Sequence, residues 1–268
     1  MRITASMLVG LFAFVQVFSL AGGPGVSRAN GARAHPVETR LQLVRLTRAG
    51  VPELPLRHAL AALACARARG ELDASTLTLI DYSRPSSVRR LWVIDLADAD
   101  VLFHEHVSHG RNSGQARATR FSNEAGSLQS SLGLFRTAET YHGRHGYSLR
   151  LDGLEPGIND RARERAIVMH GAGYVTGEVA RRFGRVGRSW GCPAVDPAVN
   201  RPLIDTIRGG NAVFAWYPDH RWLADSPYQV CDRSIENEVE TVQGPVKTTA
   251  GVGAPPAAPE PGIGAAAR

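Results

Sequence analysis

The alternation of apolar and polar positions divides the chain into a short leader, a helical stretch, a strand-rich body and a tail without periodicity. Leu56, Leu60, Leu63 and Ala64 recur at helical spacing, and Gly70 marks the stop of that helix. Leu91–Leu96 and Val101–Val107 predict two strands, joined across Ala97-Asp98-Ala99-Asp100 as a hairpin. From His109 to Ser131 glycine and serine dominate over a length unusual for a plain turn, which predicts a substrate-facing loop. Ala166–Met169 reads as a short strand that delivers His170, and Thr176 caps a short helix through Phe183. Asp196-Pro197 is an N-cap followed by proline at the first turn. Val199, Leu203 and Ile207 then share a helix face, Gly209-Gly210 ends it, and Ala212–Tyr217 is a closing strand.

At the start, Arg2 precedes an apolar run, Met7 to Phe18, that falls short of the roughly 20 residues a membrane span needs. Small-x-small sites follow at Ser19-Leu20-Ala21, Ser27-Arg28-Ala29 and Ala32-Arg33-Ala34, so residues 1–34 read as a secretory signal peptide and leader. An uncleaved anchor is the other reading, and both put the body outside the cytoplasm. Residues 35–87 then form an N-terminal helical segment, 88–232 the main domain, and 233–268 a disordered tail rich in Ala, Pro and Gly. No other segment is apolar enough to cross a bilayer.

The chain has 268 residues, a formal charge of +6 and only 7% aromatic residues, and its arginines are scattered. No nucleic-acid motif is present, and the charge is compatible with an anionic wall polymer. The chemistry concentrates in Gly187-Arg188-Ser189-Trp190-Gly191-Cys192-Pro193, preceded by Ile167-Val168-Met169-His170-Gly171. A thiol needs a base to be a good nucleophile at neutral pH, and imidazole is the usual one. Small neighbours let a carbonyl reach the thiol and leave backbone N–H groups free for a developing oxyanion. Pro193 has none, so the donors lie on its N-terminal side, at Gly191 and Cys192 with Trp190 as a third. Cys192 with His170 thus points to covalent acyl transfer, the two resting as a thiolate–imidazolium pair. A buried structural cysteine beside an unrelated strand histidine is the alternative.

These residues resemble the murein L,D-transpeptidase catalytic domain, a YkuD-like family carrying His-Gly near a strand end and then Ser-x-Gly-Cys. Here those are His170-Gly171 and Ser189-Trp190-Gly191-Cys192, closest to the branch reading Gly-Arg-Ser-x-Gly-Cys-Pro-Ala. Further likeness in Leu91–Leu96, Val107–Gly110, Ser131–Phe135 and Gly146–Gly153 extends the match from Leu91 to Tyr217. The resemblance implies a mainly β fold with a few helices, a β-sandwich-like catalytic domain with the helical segment before it. It implies a Cys192 nucleophile, a His170 base and the Gly171 carbonyl orienting the imidazole. Ser189 and Arg188 are candidates for substrate binding, each with a plain loop role as the other reading.

The implied substrate is a peptidoglycan stem peptide. The thiolate attacks the carbonyl of its third residue, D-alanine leaves, and another stem's amine, water or a lipoprotein accepts the acyl group. No cofactor and no metal enter this chemistry, and the implied location is the periplasm or cell envelope. Well-known members carry a second histidine directly before Gly-Cys, where Trp190 stands here.

Two readings compete. His104 and His106 share a strand face with His109 close behind, a possible zinc set with His170 for a metallopeptidase. A non-catalytic wall-binding module is the other. Of the remaining cysteines, Cys65 and Cys231 are open to pairing in an oxidising compartment, or Cys65 is simply a small apolar helix residue.

Overall fold

The computed structural model describes residues 36–231. The expected leader over 1–34 and the tail over 233–268 lie outside the described residues. Two helices open the fold, α1 (Pro36–Arg48) and α2 (Glu53–Ala68). α2 follows Pro52, carries Glu53 in its first turn and buries Leu56, Ala59, Ala62, Leu63, Cys65 and Ala66. The buried stripe therefore runs through Ala59 and Ala66, while Ala64, counted on the apolar face from spacing, is exposed. Gly70 follows at φ +69°, as a left-handed stop requires.

Eight strands form one hydrogen-bonded sheet: β1 (Thr76–Asp81), β2 (Leu91–Asp95), β3 (Asp100–Glu105), β4 (Gly133–Gly143), β5 (Gly146–Gly153), β6 (Val168–Gly171), β7 (Ala194–Val195) and β8 (Ala212–Trp216). Their order is β3-β2-β1-β8-β4-β5-β6-β7, so the mainly β character with a few helices holds. Hydrogen bonding runs unbroken through all eight. Central β1 and β8 run parallel, and every residue in both is buried. Strands covered on both faces lose the period-two signal, which is why β1 escaped pattern reading inside the stretch taken as a helical segment.

The helices α3 (Gly177–Phe183), α4 (Pro197–Ile207) and α5 (His220–Asp225) complete the fold. Thr176 accepts from the Val179 N–H at 3.1 Å at the start of α3, and Asp196 accepts from the Ala198 N–H at 2.9 Å at the start of α4. α4 buries Leu203, Ile204 and Ile207 and packs on β6. Its approach is close enough that a Cβ on Gly171 would meet Asn200 Cβ at 3.1 Å and Pro197 Cα at 3.2 Å. Cys65 and Cys231 are disulfide-bonded with Cα atoms 5.8 Å apart, tying α2 to the end of the described chain. Among the described residues no helix is long and apolar enough to cross a membrane.

Candidate active site

The sheet register closes the twenty-two-residue gap between His170 and Cys192. β6 pairs with β5, setting His170 opposite Ser148, and with β7 in parallel, setting His170 opposite Ala194. In a parallel ladder two steps back along both strands stay in register, which sets Cys192 beside Val168. The Val168 N–H indeed points at Cys192 Sγ, 3.5 Å away, and Sγ lies 3.6 Å from the Ala166 carbonyl. Ala166 is in the left-handed region at φ +54°, a strained position for a residue with a side chain.

The cysteine loop is held from beneath. Ser189 Oγ donates to the Cys192 carbonyl at 2.6 Å and accepts from the Gly191 N–H at 3.1 Å. Ser130 Oγ donates to the Gly191 carbonyl at 3.1 Å. Ser108 Oγ donates to the Cys192 carbonyl at 3.3 Å and accepts from the Ala194 N–H at 3.1 Å. Gly191 sits at φ +124°, and a Cβ there would meet Gln129 O at 2.8 Å and Ile167 Cδ1 at 2.9 Å. No other residue fits without moving the loop.

The glycine- and serine-rich stretch is therefore a foundation, which corrects its reading as a substrate-facing loop. Ser130 also accepts from the Gly110 N–H, and its own N–H donates to Ser113 Oγ. Below it Arg90, wholly buried, donates to the Val107 carbonyl and to His109 Nδ1, at 2.9 and 2.7 Å. The His109 carbonyl in turn accepts from the Ser189 N–H at 3.0 Å.

An open cleft of about 480 Å³ lies over this floor, with both Cys192 and His170 on its walls. His170 Nδ1 donates to the Gly171 carbonyl at 3.0 Å. A carbonyl only accepts, so Nδ1 carries the proton and Nε2 is left as the basic nitrogen. Burial is the main cause that lowers the imidazole's pKa, with the Gly171 bond opposing it and His145 adding to it. Burial likewise pushes the Cys192 thiol up, opposed by the Val168 N–H and by Arg165. Both shifts disfavour the charged forms, which weighs against the expected resting ion pair.

The remaining expected site residues are placed as follows. The Gly191 N–H is taken by Ser189, which removes it from the oxyanion donors. The N–H groups of Trp190 and Cys192 have no backbone acceptor among the described residues. Ser189 lines the cleft but is buried, and its hydroxyl bonds within the loop. Arg188 lines the cleft, but its Nη1 donates to the Arg111 and Gly114 carbonyls at 3.0 and 3.1 Å. Trp190 is 62% exposed at the cleft mouth, with the Arg144 guanidinium 5.5 Å from its ring.

The zinc alternative does not assemble. His104 Nε2 lies against the Arg89 carbonyl, His106 Nε2 against the Ser87 carbonyl, and His109 Nδ1 against Arg90. No cluster of three potential metal ligands occurs among the described residues.

Two contributors were invisible in one dimension. His145, in the turn between β4 and β5, stacks on His170 with ring centroids 4.4 Å apart. Arg165 lines the cleft from just before β6. The available signal was weak: a Gly-Arg-His-Gly turn, and an arginine three positions before the strand.

Comparison with known proteins identifies the family. Residues 48–216 match the family model described as the L,D-transpeptidase catalytic domain. The chain belongs to the L,D-transpeptidase catalytic domain family. Similar solved structures include an L,D-transpeptidase from Mycobacterium smegmatis, 14% identical with a TM-score of 0.33, over 54% of this chain and 59% of that one. An L,D-transpeptidase from Xylanimonas cellulosilytica is 18% identical with a TM-score of 0.31, over 54% and 61%. The helical cell shape determining protein of Campylobacter jejuni is 12% identical with a TM-score of 0.36, over 55% and 50%. The chain thus spans less than two thirds of the length of these relatives. No curated protein matches it.

Proposed function

We propose that the chain is a cysteine acyltransferase acting on peptidoglycan stem peptides, an L,D-transpeptidase in the sense of its family. The observation that carries this reading is the joint placement of Cys192 Sγ and the His170 imidazole on one open cleft, with His170 Nε2 left basic.

His170 Nε2 takes the thiol proton as Sγ bonds to the carbonyl carbon of the stem's third residue. The oxyanion of the tetrahedral intermediate is met by the N–H groups of Cys192 and Trp190; losing one such donor typically costs on the order of 100-fold in rate. Collapse breaks the C–N bond to D-alanine, whose amine takes the proton back from His170, and leaves a thioester. An incoming side-chain amine gives up a proton to His170 as it attacks the thioester. A 3→3 amide forms, and the thiol is restored. Water as acceptor gives a trimmed tripeptide instead.

The cleft walls carry Arg144, His145, Arg165 and Arg188 and no carboxylate, a field that favours an anionic peptide. The Cys65–Cys231 bridge supports residence in an oxidising compartment, the periplasm or envelope, as expected for an exported chain.

The test is mass spectrometry of muropeptides incubated with the purified protein. Loss of D-alanine with 3→3 dimers is expected, and nothing from Cys192→Ala. Tripeptide without dimer assigns an L,D-carboxypeptidase. Binding of sacculi without any product assigns a wall-binding module and overturns the proposal.

A further inference from the structure

Cys192 must ionise in a setting that burial makes unfavourable, with a single imidazole to help it. The position next to Gly191-Cys192 holds an indole, which has no basic nitrogen and brings no charge. The basic side chains that share its cleft are Arg144 and His145 from the β4–β5 turn, Arg188 from the loop after α3, Arg165 from the segment before β6, and His170 itself on β6. Tyr141 and Tyr174 are the other titratable groups there.

Arg165 differs from the rest in how it is held. Nη1 donates to the Ser122 carbonyl and to Ser131 Oγ, each at 2.6 Å. Nη2 donates to the Gln129 carbonyl at 2.7 Å and to Ser127 Oγ at 3.1 Å. All four acceptors are neutral. Among the described residues no carboxylate pairs with it, although its neighbours do pair: Arg161 with Glu124 and Glu164, and Arg163 with Glu139 and Asp152. The guanidinium also lies at the nucleophile loop. A Cβ on Gly191, the residue before Cys192, would be 3.6 Å from Arg165 Nη2. A permanent cation is thus fixed on a half-buried rack of neutral oxygens with no carboxylate in direct contact, Glu124, itself paired with Arg161, acting on it only at longer range.

We propose that Arg165 is an electrostatic positioning residue for the acyl transfer, a fixed guanidinium without a direct carboxylate partner whose charge holds the negative charge that forms on Cys192. It supplies the cation that an indole before Gly-Cys does not. Its four terminal N–H bonds are engaged by these oxygens, and a guanidinium does not deprotonate, so it acts through its field and gives no proton. The role rests on the proposed use of Cys192 as nucleophile.

Charge-selective alkylation reads this role directly. The rate of Cys192 modification by anionic iodoacetate is divided by the rate with neutral iodoacetamide, and the ratio is normalised to free cysteine. The wild-type ratio is expected to exceed that of free cysteine. Arg165→Gln should bring it down towards the free-cysteine value and slow iodoacetamide at neutral pH by about tenfold, the effect of one pK unit on thiolate fraction. Arg165→Lys keeps the charge and should keep most of the ratio. Ser127→Ala with Ser131→Ala removes two of the supporting bonds but leaves the charge, and should also keep the ratio.

A folded Arg165→Gln with the wild-type ratio overturns the proposal, as does a serine double variant that loses the ratio while Arg165 is intact. Should Arg165→Gln fail to fold, the wild-type and lysine ratios decide: values no higher than free cysteine refute the role, and raised values in both support it. The assay uses no peptidoglycan. A failure here leaves the proposed acyl transfer standing, and a wild-type protein that alkylates as expected but releases no D-alanine fails that reading alone.

Discussion

Replacing Ser189 by alanine tests whether this hydroxyl builds the nucleophile loop or contacts substrate. The side chain is 5% exposed and makes two bonds inside the loop, to the Cys192 carbonyl at 2.6 Å and from the Gly191 N–H at 3.1 Å. Alanine removes both. The Cys192 carbonyl keeps Ser108 Oγ at 3.3 Å, but the Gly191 N–H is buried and loses its acceptor. An ordinary bond contributes about 1 kcal/mol, and an orphaned buried donor costs about 1–3 kcal/mol. The sum is about 2–4 kcal/mol, which for a domain of this size lowers Tm by roughly 4–16 °C. The loop also sets where Sγ stands, and a displacement near 1 Å costs on the order of 100-fold in rate. Thermal melts and D-alanine release should therefore fall together, with kcat carrying the loss. Unchanged Tm with a raised KM and intact kcat would refute this and return Ser189 to substrate binding.

Three further outcomes follow from the same geometry. Removing the Cys65–Cys231 bridge, by reduction or by Cys65→Ser with Cys231→Ser, frees a 166-residue separation. The loop-entropy account then gives about 5 kcal/mol as a ceiling and measured losses of about 2–5 kcal/mol, to be read by denaturant unfolding while Cys192 alkylation in the folded state stays at the wild-type rate. His109 is buried and its pKa is lowered to about 3, mainly by burial and then by the Arg90 charge. Its folded value lies below the unfolded one, so its contribution is complete above about pH 6.5 and is lost as pH falls towards 3. His109→Gln should flatten the stability–pH curve between pH 6.5 and 5, and an unchanged slope there counts against it. His170, also lowered, stays neutral below the ordinary histidine range, so the acid limb of kcat/KM should fall below about pH 6.5. His170→Ala should remove neutral-pH alkylation of Cys192 and leave only the alkaline limb, whereas a wild-type profile in this variant would make the imidazole structural.

Local chemistry decided much of this protein from the sequence alone. Thr176 and Asp196 announce α3 and α4 because a capping oxygen acts within three residues of itself. The Gly-Cys-Pro context and the histidine at a strand end announce the proposed reacting pair, because the demands of a nucleophile on its immediate neighbours are also local. Tertiary structure decided the rest. β1 is buried on both faces and shows no alternation, and β7 is two residues long, too short for any pattern. Ser189 and Gly191 were assigned by residue type, but only the folded loop shows their groups bonded to each other. The Cys65–Cys231 pairing needed α2 to meet a segment 166 residues further on. His145 reaches His170 because β5 and β6 pair in one register, and Arg165 reaches the cysteine loop because residues 122–131 fold beneath both. A pair of residues far apart in sequence leaves no periodic trace, since their contact is fixed by strand register and burial summed over the whole sheet.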